Sequence, residues 1–245
     1  MNSATSSRES FGAKPGAWTE LALTLPVFLA YQLGVVFLNV RNGTDVVSTE
    51  LLELSHGDRI TYLAMTALIG AAMIGMFALL GRGQAFQPRK FAQVAVEGAA
   101  YAVAMSGVAS WVVGKLFAGP NAAAVAGVFP GLIMSLGAGF YEEVAFRVVL
   151  FGLGSRLWVW LLSPSPRQRT SGGFRGPVVV VLWALACAGI FSGVHYVGSL
   201  GDTFDARSFV ARGVLGLALT TVYVTRGFAT AVWTHALYDI WVLVL

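Results

Sequence analysis

Long apolar runs recur along this chain with short polar segments between them. Runs of about 20 residues, the length a helix needs to cross a bilayer, can be read near Leu21–Val40, Ile60–Leu80, Phe91–Phe117, Ala122–Leu150, Pro177–Val197, Phe209–Thr225 and Phe228–Leu245. The pattern predicts an all-α fold, a polytopic membrane helical bundle of about seven transmembrane helices, with six to eight as the range. The longest polar stretches, Arg41–Arg59 and Ser163–Gly176, are too short to bury cores of their own, so residues 1–245 read as a single membrane domain. A polar leader ahead of a first apolar run too long for a signal-peptide core reads as an anchor that stays in the mature protein.

Composition agrees with this solvent: 56% of residues are hydrophobic, 11% are charged, and the mean hydropathy is +0.72. The net charge of +4 resides mainly in the loops, where Lys and Arg set membrane orientation. With the N-terminus cytoplasmic, the inner segments hold Arg8, Lys14, Arg82, Arg89, Lys90, Arg156, Arg167, Arg169, Arg175 and Arg226, and the outer ones only Arg41, Arg59 and Arg207. That asymmetry predicts an integral, multi-pass protein with its N-terminus inside, and it accounts for the basic loops without a nucleic-acid partner. The one cysteine, Cys187, permits neither an intrachain disulfide nor a thiolate metal cluster. Gly127 and Gly131 form a GxxxG, and the pair Gly137 and Gly139 reads as a helix break where a cavity can open.

The stretch FYEEVAFR, Phe140 to Arg147, sets two glutamates and an arginine in apolar surroundings, and charge within a span is a functional hypothesis by default. Of three histidines, His56 falls in a loop, while His195 and His235 sit in apolar context. Residues four apart share a helix face, so Glu143 stacks over Arg147, Phe191 over His195, and His235 over Asp239. Glu142 points about 100° away from the Glu143–Arg147 pair. The pair can therefore neutralise itself, leaving Glu142 as a carboxylate available for proton transfer. Were Ala122–Leu150 one straight helix, Glu142 and His195 would be roughly 15 Å apart along the membrane normal. A break at Gly137–Gly139, with a re-entrant piece before it, is expected to bring them level. Glu97, Lys115 and Arg212 read as snorkelling or lining residues, and Trp111, Trp158, Trp160 and Trp183 as interface anchors or packing. Ser192 precedes His195 by three residues without the GxSx pattern of a serine nucleophile.

Glu142-Glu143-x3-Arg147, Phe191-x3-His195 and His235-x3-Asp239, in that order on successive membrane helices, resemble the motifs of the CPBP family. Its members are CAAX-prenyl-protease and bacteriocin-processing proteins, also called the Ras-converting-enzyme-like or Abi family. The resemblance covers roughly residues 122–245, which it marks as a catalytic core. It implies an intramembrane endopeptidase that hydrolyses peptide bonds of membrane-associated or lipidated proteins and peptides, its partners being a membrane-anchored substrate and the lipid bilayer. It further implies that Glu142 and His195 activate the hydrolytic water, that His235 and residue 239 stabilise the tetrahedral intermediate, and that Glu143, Arg147 and Phe191 support the site. No cofactor is implied by the glutamic-protease description, although Glu142, His195 and His235 also make a zinc set with one open position, here without HExxH.

Many members carry Asn where this chain has Asp239. An ionised Asp only accepts hydrogen bonds, so Asp239 is expected to orient His235 or to keep it protonated. Two other readings use the same residues: a catalytically silent scaffold or immunity protein of the same fold, and an ion- or proton-coupled transporter. The transporter reading calls for inverted repeats with broken helices in both halves, whereas the ionisable cluster lies only in the second half.

Overall fold

The computed structural model describes residues 13–42, 45–84, 87–117, 127–162, 175–198 and 201–244. The expected start at Ala122 and most of the segment Ser163–Gly176 lie outside the described residues. Along the chain run α1 (Ala17–Leu38), α2 (Val46–Leu54), α3 (Arg59–Leu80), α4 (Pro88–Leu116), α5 (Val128–Gly137), a π-helical segment (Ala138–Leu153), α6 (Gly154–Leu162), α7 (Arg175–Val194), α8 (Ala206–Arg226) and α9 (Phe228–Leu243). Among the described residues there is no strand.

Local chemistry sets the element ends. Asn39 closes α1 in the left-handed conformation, φ 52°, with its N–H on the Val35 carbonyl, the usual way of satisfying a helix C-terminus. Asp45, Asp58 and Asp205 cap α2, α3 and α8 by accepting the N–H of Ser48, Thr61 and Ser208, and Pro88 opens α4 where its missing N–H costs nothing. The caps lower the carboxyl pKa of Asp58 and Asp205 chiefly through the hydrogen bonds from Thr61 and Ser208. Gly227 turns α8 into α9 with φ 99°, a conformation only glycine adopts freely. The Glu20 carboxylate of α1 reaches this turn and accepts the Ala229 N–H, placing a negative charge at the positive end of α9.

The helices bury charge and expose apolar surface, as a bilayer requires. Leu68, Leu79 and Leu182 are 61–70% exposed, whereas Glu143 and Arg147 are exposed by 0% and 1%. Among the described residues, six helices are long and apolar enough to cross a membrane: α1, α3, α4, the continuous rod Val128–Leu162, α7 from Pro177, and α8. This is an integral membrane protein with a helical-bundle fold. The seventh expected span, Phe228–Leu245, is a helix of 16 residues, shorter than the other six. It lies at the centre of the bundle, against α1, α4, α5, α8 and the π segment.

The expected break at Gly137–Gly139 is absent. The helix passes through Gly137 (φ −63°, ψ −49°) without interruption and at Ala138 widens from α to π geometry, an insertion that recurs at functional sites. The glycines serve close approach instead. A Cβ on Gly137 would fall 2.2 Å from the Tyr31 ring, and one on Gly139 would fall 2.8 Å from both the Val232 carbonyl oxygen and the Ala236 methyl. Helices α1 and α9 therefore lie directly on this backbone, and residues 137–143 are buried without a gap.

Glu142 and His195 come level for a different reason. The rod runs to Leu162 rather than ending at Leu150, so Glu142 lies near its middle. Helix α7 packs antiparallel beside it. Trp183 packs at a tilt against Trp158 and donates to the Leu150 carbonyl at 2.9 Å, Phe191 meets Phe146 at 5.1 Å between ring centres, and His195, one residue past the end of α7, reaches Glu142.

Candidate active site

Four helical elements bring the motif residues to one place. The π segment presents Glu142, Glu143 and Arg147, the end of α7 presents Phe191 and His195, α8 borders Arg147 with the Gly216 carbonyl, and α9 presents His235 and Asp239. The fourfold spacings close as expected, with Glu143 3.1 Å from Arg147 Nη1 and His235 Nε2 3.6 Å from Asp239 Oδ2.

Glu143 does more than pair with Arg147. Its Oε1 also lies 2.8 Å from His235 Nδ1, so one carboxylate links a buried guanidinium to an imidazole on another helix. A carboxylate only accepts, so His235 Nδ1 carries its hydrogen toward Glu143 and turns Nε2 toward the cavity. His195 is fixed in the same sense: Nδ1 lies 2.8 Å from the Phe191 carbonyl, which only accepts, so Nε2 faces inward. Orientation of His235 thus comes from Glu143, while Asp239 lies on the side of Nε2.

Glu142 sits between the two rings. Its Oε2 is 3.9 Å from His195 Nε2 and 3.8 Å from His235 Nε2, beyond direct hydrogen bonding and within the span one water bridges. Among the described residues this buried oxygen has no hydrogen-bond partner. Its other oxygen, Oε1, accepts the Asn42 side-chain amide at 3.0 Å. Three carboxylates (Glu142, Glu143, Asp239) thus gather around two imidazoles, with Arg147 paired to Glu143.

Phe191 explains its own place in the motif. Its ring supports the Arg147 guanidinium at 4.4 Å and lies edge-on to His195 and His235 at 5.2 and 6.1 Å between ring centres. An aromatic face is favourable to a buried cation, and one ring here spaces three site residues.

Sequence reasoning passed over the contribution of α1 and the residues that follow it. Asn42 contacts Glu142 from the loop after α1, and its backbone N–H donates to the Tyr31 hydroxyl at 2.9 Å. Tyr31 in turn donates to Asp45 at 2.7 Å. Beside them Gln32 accepts from Ser48 and Tyr62 and donates to Tyr141. Tyr31 and Gln32 are the polar pair inside the first apolar run, and that was the signal available. Two residues read as snorkelling or lining are ion-paired: Glu97 with Arg226 at 2.6 Å, and Arg212 with Asp202 at 2.6 Å. The Ser192 hydroxyl is committed to the Phe209 carbonyl. Among the described residues, no group of three or more His, Cys, Asp or Glu is arranged to hold a metal ion.

Residues 124–241 match the family model described as Rce1-like, type II CAAX prenyl endopeptidase. Over that segment the chain is similar to the Rce1-like family. The matched segment contains Glu142, Glu143, Arg147, Phe191, His195, His235 and Asp239, so all the gathered motif side chains fall within the Rce1-like match. Asn42 and its supports in α1 and α2 lie ahead of it. No curated protein and no solved structure matches the chain. The Rce1-like family is one of membrane proteases, which agrees with ionisable groups gathered inside a helical bundle.

Proposed function

We propose that this protein is a glutamic-type intramembrane endopeptidase that cleaves the tails of lipid-anchored, prenylated peptides or proteins. The observation that carries the reading is the placement of Glu142 Oε2 between the Nε2 atoms of His195 and His235, at 3.9 and 3.8 Å. A water held by Glu142 and neutral His195 meets two acceptors, so both its hydrogens are engaged and a lone pair is left for attack. Glu142 takes one proton as the water oxygen bonds to the scissile carbonyl carbon. His235, its Nδ1–H held by Glu143, donates from Nε2 to the resulting oxyanion in its imidazolium form. The intermediate collapses as the C–N bond breaks and the proton on Glu142 passes to the leaving amine. Asp239, facing the same Nε2, offsets the imidazolium charge.

The prenyl specificity is carried over from the family description, and the apolar, lipid-facing bundle suits an anchored substrate. We take residues 122–245 as the catalytic core and the preceding helices as part of the same domain, since α1 packs on the π segment and Asn42 reaches the site. The Lys and Arg bias of the loops supports a cytoplasmic N-terminus. Helix α1 then carries the chain across to the side where Asn42 and α2 lie, and the site opens on that far side.

The deciding experiment is cleavage of fluorogenic peptides bearing S-farnesyl-cysteine before three C-terminal residues by purified protein in bilayer discs. Wild type, Glu142→Gln and His195→Ala are compared with and without a strong chelator. Chelator-resistant cleavage that falls by about 100-fold or more in both variants is expected. Loss on chelation with recovery in zinc would instead assign Glu142, His195 and His235 to a metal.

A further inference from the structure

We propose that Asn42, outside the Rce1-like segment, is a positioning residue for the catalytic carboxylate of Glu142. The proposal rests on the reading of Glu142 as general base. A carboxylate that must take a proton through one oxygen needs the other held, or rotation about its terminal torsion swaps the two. Glu142 meets this requirement from outside its own helix: Oε1 accepts the Asn42 amide at 3.0 Å, and Oε2 is left facing His195 and His235. Since a carboxylate only accepts, the Asn42 amide must present its N–H here.

The loop that carries Asn42 is itself held. Its backbone N–H donates to Tyr31, Tyr31 donates to Asp45, and Asp45 also caps α2 through the Ser48 N–H at 2.8 Å. Tyr31 and Asp45 are exposed by 0% and 2%. The amide is thus fixed by the backbone of an anchored loop, a mode of support that gives a positioning contact its accuracy. Asn42, held by α1 and the cap of α2, completes the site by aiming the base.

Two measurements on the full chain test this. The first is a thermal double-mutant cycle in detergent of Asn42→Ala against Glu142→Ala, which reports the contact whatever the substrate; a non-additive shift is expected, and additivity overturns the proposal. The second is steady-state cleavage of a set of farnesyl-cysteine peptides by Asn42→Ala and by Asn42→Asp, which keeps the volume and loses the donor. Both should lower kcat about 10–100-fold with KM within about twofold, because Asn42 touches the base and not the substrate. Wild-type kcat in Asn42→Asp, or a loss confined to KM, overturns the positioning role. Full activity in Glu142→Gln refutes the general-base reading instead. If the wild type cleaves no peptide in the set, that result counts against the reading of the activity, and the thermal cycle alone decides for or against the contact.

Discussion

Glu143 receives the Nδ1–H of His235 at 2.8 Å while facing the Arg147 guanidinium at 3.1 Å, so the charge that neutralises a buried arginine also aims an imidazole. The two duties separate under substitution. Glu143→Gln keeps an acceptor for His235 but leaves Arg147, 1% exposed, without its counter-charge. Breaking one side of a buried ion pair costs about 3–5 kcal/mol. Thermal unfolding in detergent should show that loss. Much of it should return in Glu143→Gln with Arg147→Met, where no charge is stranded. A Glu143→Gln protein as stable as wild type would mean that the pair is not the structural knot.

The close contact of α9 with the π segment yields a second prediction. At Gly139 the nearest obstacles to a Cβ are the backbone oxygen of Val232 and the Ala236 methyl, both at 2.8 Å. Neither is the flexible end of a long side chain. Gly139→Ala must therefore push α9 outward, and overpacking of this kind costs about 1–3 kcal/mol. Because His235 is one residue from Ala236, the same shift lengthens its bond to Glu143. Stability and cleavage should fall together, whereas Gly189→Ala, where the added methyl meets nothing within 4 Å, should change neither.

How much of this was written in the sequence depends on the range of the interaction. Hydropathy reports spans locally, and fourfold spacing reports a shared helix face, so the spans and the pairs Glu143–Arg147, Phe191–His195 and His235–Asp239 could be read directly. Glycine is ambiguous in the same text: Gly137 and Gly139 look like a break, and only the partners Tyr31, Val232 and Ala236 reveal close packing. The bond of Asn42 to Glu142 joins positions 100 residues apart, and that of Arg226 to Glu97 spans 129. Neither leaves a periodic trace. The end of the rod was misplaced because Arg156 and the following tryptophans look like a boundary, yet the helix continues through them to Leu162.

The orientation proposal is tested by labelling. Val197, beside His195, is 73% exposed, and Arg82, beyond the end of α3, is also exposed. With Cys187 buried and replaced by Ser, a membrane-impermeant maleimide added to intact cells should label Val197→Cys and spare Arg82→Cys until the cells are opened. The reverse pattern would place the N-terminus outside and turn the site toward the cytoplasm.

Asp239 offers the sharpest chemical test. Its Oδ2 lies 3.6 Å from His235 Nε2, on the face where an oxyanion would form, and an ionised carboxylate there can only accept. Asp239→Asn has the same shape, keeps one acceptor oxygen and adds an N–H donor. Were Asp239 only to fill and order this face, the amide would work as well and kcat would stay within about tenfold of wild type, since donors aimed at an oxyanion supply transition-state stabilisation. Asp239→Leu removes both functions and should lose about 100-fold or more in kcat. In the proposed mechanism the Asp239 charge offsets the His235 imidazolium, so Asp239→Asn is expected to fall with Asp239→Leu. Steady-state kinetics of the two variants on one farnesyl-cysteine peptide separates these outcomes, provided that unchanged unfolding temperatures show both proteins to be folded.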